Sequence, residues 1–501
     1  MVRYFLLFCL TMLLAGFPAQ AAWHEASSDH FLIYSDQKES DIRDFAERLE
    51  RYHDAMRFLF NRPAEKPSPS NRVTIYALDS ARDVRDLAGK GNKYLQGFYV
   101  PRAGGSFAII PEVRTGRYEL SKSESVLLHE YAHHFLLSAS ARAYPLWFSE
   151  GYAEFFGTAK FGGDGSVGLG LSSKSRAYEL AVAKDVPIEL LLDTQAYQAN
   201  KSKRYDSFYG QSWALYHMLH FSKERNGQLD TYLRALATGS SEIAAATQAF
   251  GDLSQLDRDL ASYLKKRKIT TYRIPPEYLK TGAIDIRPLN AAEAEMMPVR
   301  IRSKRGVDDE EAAALLPEAR AIGAKYPGDP FTQAALAEAE FDAGNDKEAI
   351  AAADRAIAVD PDRINAHIQK GYALARMASD ADDFDAAWKA VRAQFVKVNR
   401  IENDNPIPLM QFYLSYKGQG ISPPEIAVHG IERALQLAPY DPQLRWMNAN
   451  QYMADGKYDW AAVTLGPLAN SPHPSSLSEA AQGLMKEAEA KAAATAEQGG
   501  D

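Results

Sequence analysis

The sequence predicts an α+β domain followed by an all-α repeat domain, and three observations predict it. Short β-leaning runs, "HFLIYSD" (30–36) and "RVTIYAL" (72–78) among them, crowd the N-terminal part. From Ser172 to about Lys268 the pattern is helical throughout. The remainder is alanine-rich and helical with recurring prolines: Pro327 and Pro361 are 34 residues apart, and Pro439 and Pro472 are 33 apart.

The first segment, "MVRYFLLFCLTMLLAGFPAQAA", reads as an export signal over residues 1–21. Arg3 supplies the basic start, an apolar core runs from Tyr4 to about Phe17, and Ala19 and Ala21 give the small-residue cleavage pattern. The core is short against the roughly 20 residues of a bilayer span, so the expectation is removal, with no stable membrane anchor afterwards. The expected location is periplasmic or secreted, periplasm preferred. Cys9 lies inside the signal and is the only cysteine, so any metal site must use nitrogen and oxygen.

The first strand, 30–36, leads into "ESDIRDFAERLERYHDAMRFLF" (39–60), whose apolar residues recur at helical spacing. "NRPAEKPSPSN" is a loop by its Pro and Ser content, and 72–78 is the second strand. "LQGFYVPRAGGSFAIIP" predicts a hairpin turning at Ala103-Gly104-Gly105, with "GSFAII" (105–110) as the edge available to a substrate backbone. A helix follows from about Ser121 to Leu137. The long helices of 208–239 break at Asn226-Gly227. These elements assign residues 22–270 to the α+β domain, 271–310 to a Pro-rich linker, 311–475 to the repeats and 476–501 to a terminal helix with a disordered tail.

The net charge is −8 with no basic cluster, which argues against a nucleic-acid partner. The repeat half resembles the tetratricopeptide repeat. Leu336, Ala337, Gly344, Ala349, Ala356 and Pro361 fall at its small or helix-stopping positions, although the early aromatic is absent. Three to four units are expected, and the resemblance implies a protein partner.

Chemistry concentrates in "SESVLLHEYAHHFLL" (123–137). On a helix, His129 and His133 share one face, so both imidazoles can aim at one ion. Glu130 stands at the edge of that face, where it can take a proton from water without being a ligand. The flanks are apolar, and burying two histidines and a glutamate unpaired would cost several kcal/mol. A third ligand is expected on a second helix, in "YPLWFSEGYAEFFG" (144–157), where Glu150 follows His133 after 16 intervening residues.

This pattern resembles the gluzincin peptidases, in which HExxH is completed by a glutamate in an "EG-A" context, here Glu150-Gly151-Tyr152-Ala153. The gap and "WFSEGYAEFF" look most like the bacterial peptidase-MA-like proteins, several of which carry tetratricopeptide tails. The resemblance implies a zincin-like metallopeptidase fold for the first domain, with Zn2+ held by His129, His133 and Glu150. Glu154, one turn on, is then the support of a ligating histidine; it rivals Glu150 as ligand, and an ordinary solvated residue is the bland alternative.

"YDSFYGQSWALYHML" resembles the segment after the site in this family, which makes Tyr209 the donor to an oxyanion. A core tyrosine packed on Trp213 is the competing reading, and Tyr205 a weaker rival for the role. His134 faces away from the site, and His217 and His220 read as packing histidines. "FGGDGSVGLGLSS" (161–173) reads as a hairpin near the cleft.

Two functions compete at this stage. One is an exported zinc-dependent peptidase with Glu130 as general base, its repeats recruiting a protein substrate or partner. The other is a non-catalytic repeat scaffold with a peptidase-like domain that binds metal or peptide. A zinc hydrolase of other bonds shares the same ligand set.

Overall fold

The computed structural model describes residues 23–88, 95, 97–113, 120–138, 143–200, 205–471 and 475–498. The expected export signal, Pro472, part of the turn after His133 and the last three residues lie outside these.

The N-terminal half comprises β1 (His24–Ser27), β2 (Phe31–Ser35), α1 (Glu39–Leu59), β3 (Val73–Leu78), α2 (Ala81–Ala88), β4 (Phe98–Val100) and β5 (Phe107–Pro111). Next come α3 (Lys122–Leu137), α4 (Leu146–Phe156), β6 (Lys160–Phe161) and β7 (Val167–Leu169). Seven helices follow: α5 (Lys174–Val182), α6 (Ile188–Leu191), α7 (Thr194–Asn200), α8 (Phe208–Phe221), α9 (Gln228–Ala237), α10 (Glu242–Phe250) and α11 (Leu253–Leu264). β8 (Tyr272–Ile274) and β9 (Asp285–Pro288) complete it.

A six-stranded sheet runs β4-β5-β3-β2-β1-β9, and a three-stranded one runs β6-β7-β8. β2, β3 and β5 are parallel; β1, β4 and β9 join antiparallel. The register pairs Ile33 with Ile75 and Ile75 with Ala108, while Tyr34 pairs with Tyr76 and Tyr76 with Ile109. Alternation therefore loads both faces with apolar side chains, as a sheet covered on both sides requires. The Ile33 face packs on α1 and α3 through Ile42, Phe45, Leu127 and Tyr131.

The repeat half contains α12 (Ala291–Arg305), α13 (Asp309–Lys325), α14 (Pro330–Asp342), α15 (Asp346–Val359), α16 (Ile364–Ala378) and α17 (Phe384–Ile401). It continues with α18 (Pro406–Gly418), α19 (Glu425–Leu437), α20 (Pro442–Ala454), α21 (Tyr458–Ala469) and α22 (Ser476–Gln498). Adjacent helices pack as pairs, α14 with α15 through α20 with α21, and α22 covers the last pair. This is a helical, solenoid-like repeat of the tetratricopeptide kind with four units. Ala337, Ala349 and Ala356 are fully buried where the helices meet, and Gly344 takes a φ of +83° in the turn between α14 and α15. α14, α18 and α20 each start at a proline preceded by an Asp or Asn whose side chain accepts a backbone N–H two or three residues on: Asp329, Asn405 and Asp441. The register break is the long α17. The tail expected to fray is helical to Gln498.

Two findings differ from the sequence expectation. Residues 271–310, expected as a linker, carry β8, β9 and α12, so both sheets and the repeats draw on them. The Tyr34 face of the sheet shares one core with the helices: Tyr34, Tyr76, Phe107 and Ile109 pack with Met296, Met297, Leu315 and Phe331. And "GSFAII" is not the edge, because β5 is enclosed between β4 and β3, leaving β4 outermost. Among the described residues no helix is long and apolar enough to cross a membrane.

Candidate metal centre

α3 is fixed at its start by a capping box: Ser121 accepts from the Glu124 N–H, and the Glu124 side chain accepts from the Ser121 N–H. Its apolar face places Leu127, Leu128, Tyr131 and Phe135 in the core, which turns His129 and His133 toward α4. α4 is buried along its whole length. Glycines set its distance from its neighbours. A Cβ on Gly151 would meet Ser212 O of α8 at 2.4 Å, and one on Gly157 would meet the His129 Cβ at 3.1 Å.

His129 Nε2 and His133 Nε2 are 3.2 Å apart, and Glu150 Oε2 lies 3.5 and 3.7 Å from them. These are the three ligand atoms that could hold one metal ion. A tetrahedral ion with bonds of about 2.0–2.1 Å needs ligand edges of about 3.3–3.4 Å, close to the triangle seen here. Glu150 is only 1% exposed, and among the described residues its carboxylate faces only the two imidazoles, beyond good hydrogen-bond distance. A carboxylate buried so needs a cation to face, which a protonated imidazole or a bound ion can supply. The residues present therefore fit a divalent ion of the zinc type.

The remaining imidazole nitrogens are held from behind. Glu154 Oε1 lies 3.3 Å from His129 Nδ1, and Ser149 Oγ lies 3.2 Å from His133 Nδ1. An Nε2 that ligates leaves its Nδ1–H to donate to these oxygens, which fixes the tautomer. Burial works against charge on His129, but the Glu150 and Glu154 carboxylates beside it outweigh this and raise its pKa to about 10. Burial likewise opposes charge on Glu154, yet His129 and Arg176 bring it down to about 2. With the His129 pKa raised, a proton and a metal ion would compete for the same imidazole.

Glu154 is thus buried and doubly bonded, unlike a solvated helix residue; it faces the rear nitrogen of His129, whereas Glu150 faces both Nε2 atoms. Glu130 is half-buried beside His129 and has no hydrogen bond or ion pair to a described residue. The Tyr209 ring lies beneath the Arg176 guanidinium, 4.8 Å away. Burial, then the Glu150 charge, pushes its pKa up, so the phenol stays a donor. Tyr205 is 59% exposed and in no such setting.

The discounted histidines pack elsewhere. His134 shares a 2.6 Å hydrogen bond with the Tyr99 hydroxyl and packs at a tilt against Tyr440. His217 lies between Tyr263 and Gly170 O, and His220 meets the Tyr272 hydroxyl. The hairpin of β6 and β7 pairs further with β8. Sequence reasoning missed Ser149 and Arg176. Ser149 was legible as the residue before Glu150, but Arg176, 22 residues beyond Glu154, carried no local signal.

Residues 124–241, which hold every residue of this centre, match a family described as proteins of unknown function (DUF1570). No curated protein matches the chain. Among solved structures, the chain is similar to TTC0263, a thermophilic TPR protein of Thermus thermophilus, at 19% identity and a TM-score of 0.34, over 38% of this chain and 99% of that one. It is also similar to MamA from Desulfovibrio magneticus RS-1, at 15% identity and a TM-score of 0.27, over 35% and 92%.

Proposed function

We propose that this chain is an exported zinc-dependent peptidase whose repeat half engages a protein partner or substrate. The observation that supports it most is the triangle of His129, His133 and Glu150, closed to tetrahedral edges around a carboxylate that has no other partner among the described residues. The export reading rests on the N-terminal apolar run alone.

Zinc, when bound, supplies a Lewis acid that activates water near neutral pH and polarises a carbonyl. His129, His133 and Glu150 would hold it, with Glu154 and Ser149 keeping the imidazoles aimed. Glu130 is next to a ligand and has no hydrogen bond or ion pair to a described residue, so its carboxylate can accept the proton of the attacking water. The same carboxylate then hands that proton to the departing amine nitrogen. The Tyr209 hydroxyl, kept protonated, donates to the oxygen on which negative charge develops, worth roughly 3–4 kcal/mol of barrier where such donors act.

The second reading is the scaffold without turnover, and the comparisons lend support to that one: the similar solved structures named above are repeat proteins, and the matched family has no known role. One experiment separates the two. Purified full-length protein and its Glu130→Gln variant are assayed for zinc content and for digestion of a peptide library, with and without chelator. A peptidase binds zinc in both forms and cleaves only as wild type; cleavage by neither supports the scaffold.

A further inference from the structure

Arg176, on α5, touches two separate parts of the centre. Its Nη2 donates to Glu154 Oε1 at 2.6 Å, its Nη1 donates to Glu179 Oε2 at 2.5 Å, and its guanidinium plane covers the Tyr209 ring at 4.8 Å. Glu179 is 1% exposed and accepts the backbone N–H of Gly210 at 2.7 Å, directly after Tyr209. Glu154 in turn backs His129.

From this the geometry points to Arg176 as a positioning residue that locks the rear support of a metal ligand and the oxyanion donor into one unit. The inference rests on the metallopeptidase reading. Its physical basis is the planar fork. Two prongs in fixed relation grip Glu154 and Glu179, and the face left over stacks on the phenol ring. Arg176 Nε is buried with no acceptor among the described residues, so those two prongs and the ring are the anchorage seen there. A lysine is a point charge on a flexible stem and cannot hold both carboxylates and the ring together. Glu154 and Glu179 would otherwise be two buried carboxylates left to repel one another.

The test uses the full chain and zinc alone, titrated against a chromophoric chelator. Arg176→Gln is expected to weaken zinc about 10- to 100-fold, the range typical for lost outer support. Glu154→Gln should weaken it comparably, and the double variant should be no weaker than Glu154→Gln. A second arm measures acetohydroxamate binding to the zinc-saturated protein: Tyr209→Phe and Arg176→Lys should each weaken it several-fold. Arg176→Lys keeps the charge and most of the stem, so it serves if the glutamine variant does not fold.

A purely structural Arg176 would lower the melting temperature and leave both affinities unchanged. That result, or strict additivity with Glu154→Gln, overturns the inference. If wild type binds no zinc, the metallopeptidase reading itself fails, and the inference falls with it.

Discussion

Gly151 of α4 and Ser212 of α8 approach so closely that a Cβ at position 151 would stand 2.4 Å from the Ser212 carbonyl oxygen. The atom in the way is backbone, which cannot swing aside. Gly151→Ala must therefore push α4 away from α8, and overpacking of this kind costs typically about 1–3 kcal/mol. Glu150 is the adjacent residue, so the shift is also expected to open the ligand triangle. Urea melts should show the loss of stability, and chelator competition should show weaker zinc at a temperature where the fold is intact. Unchanged zinc affinity would mean that the crossing does not set the ligand distance.

Glu150→Gln keeps the shape of the side chain and removes its charge. Wild type should gain stability with zinc as any specific ligand confers it, about 2.7 kcal/mol at a free concentration 100 times Kd. The variant should lose most of that gain, as should His133→Ala. Thermal melts with zinc and with chelator report this directly. Zinc stabilisation persisting undiminished in Glu150→Gln would remove Glu150 from the ligand set.

The parts that the sequence made legible are those governed by short-range pattern. His129 and His133 lie four apart, so spacing alone brings them to one face of α3, and the short gap and the family resemblance point to Glu150 on the next helix. The proline period likewise located the repeat pairs, because Pro327, Pro361 and Pro439 stand just past the ends of α13, α15 and α19, where a proline stops the helix. What stayed hidden depends on long-range closure. β9 pairs with β1 across the whole first domain, and no local feature of "DIRP" announces it. Arg176 reaches Glu154 through tertiary packing, and its own segment reads as a plain helix start. The hairpin of β4 and β5 is legible, but the parallel pairing of β3 along the other side of β5, which encloses it, has no local signal.

Asp342 offers a pH-dependent prediction away from the candidate metal centre. It ends α14, facing Glu338 on its own helix, Ser303 and Lys304 of α12, and Arg376 of α16. Burial, then the charge of Glu338, pushes its carboxyl from 3.8 up to about 6. A carboxyl raised in the fold favours the native state fully below its unfolded value, and that benefit is lost as pH rises through the folded one. At pH 7 the ionised Asp342 is therefore a cost. Asp342→Asn should be more stable than wild type at pH 7, by on the order of 1–2 kcal/mol after discounting for partial exposure. The gap should close between about pH 6 and 4. Denaturant melts of both proteins across that range test it, and a gap that widens toward acid would contradict the sign.

The sheet and the repeats share a core, so the chain should not divide after residue 270. A fragment of residues 23–270 loses β8, β9 and α12, which bares Tyr34, Tyr76, Phe107 and Ile109 on one face of the sheet. Each such side chain is worth about 1.5–3 kcal/mol when fully buried, and baring several at once is comparable to the roughly 5–15 kcal/mol that holds a domain folded. The far end of the repeats grips the same domain: Asp441 accepts the Ala103 N–H at 2.6 Å, Glu402 accepts from Ser70 Oγ at 2.6 Å, and Tyr440 lies against His134. The fragment is expected to aggregate or stay unfolded by circular dichroism, whereas residues 23–498 melt as one transition in urea. Tyr440→Ala should lower that single midpoint by roughly 2–4 kcal/mol of stability without splitting it, since the ring leaves a cavity beside α3. A soluble, folded 23–270 fragment, or two resolved transitions in the longer chain, would show that the shared core is not what holds the halves together.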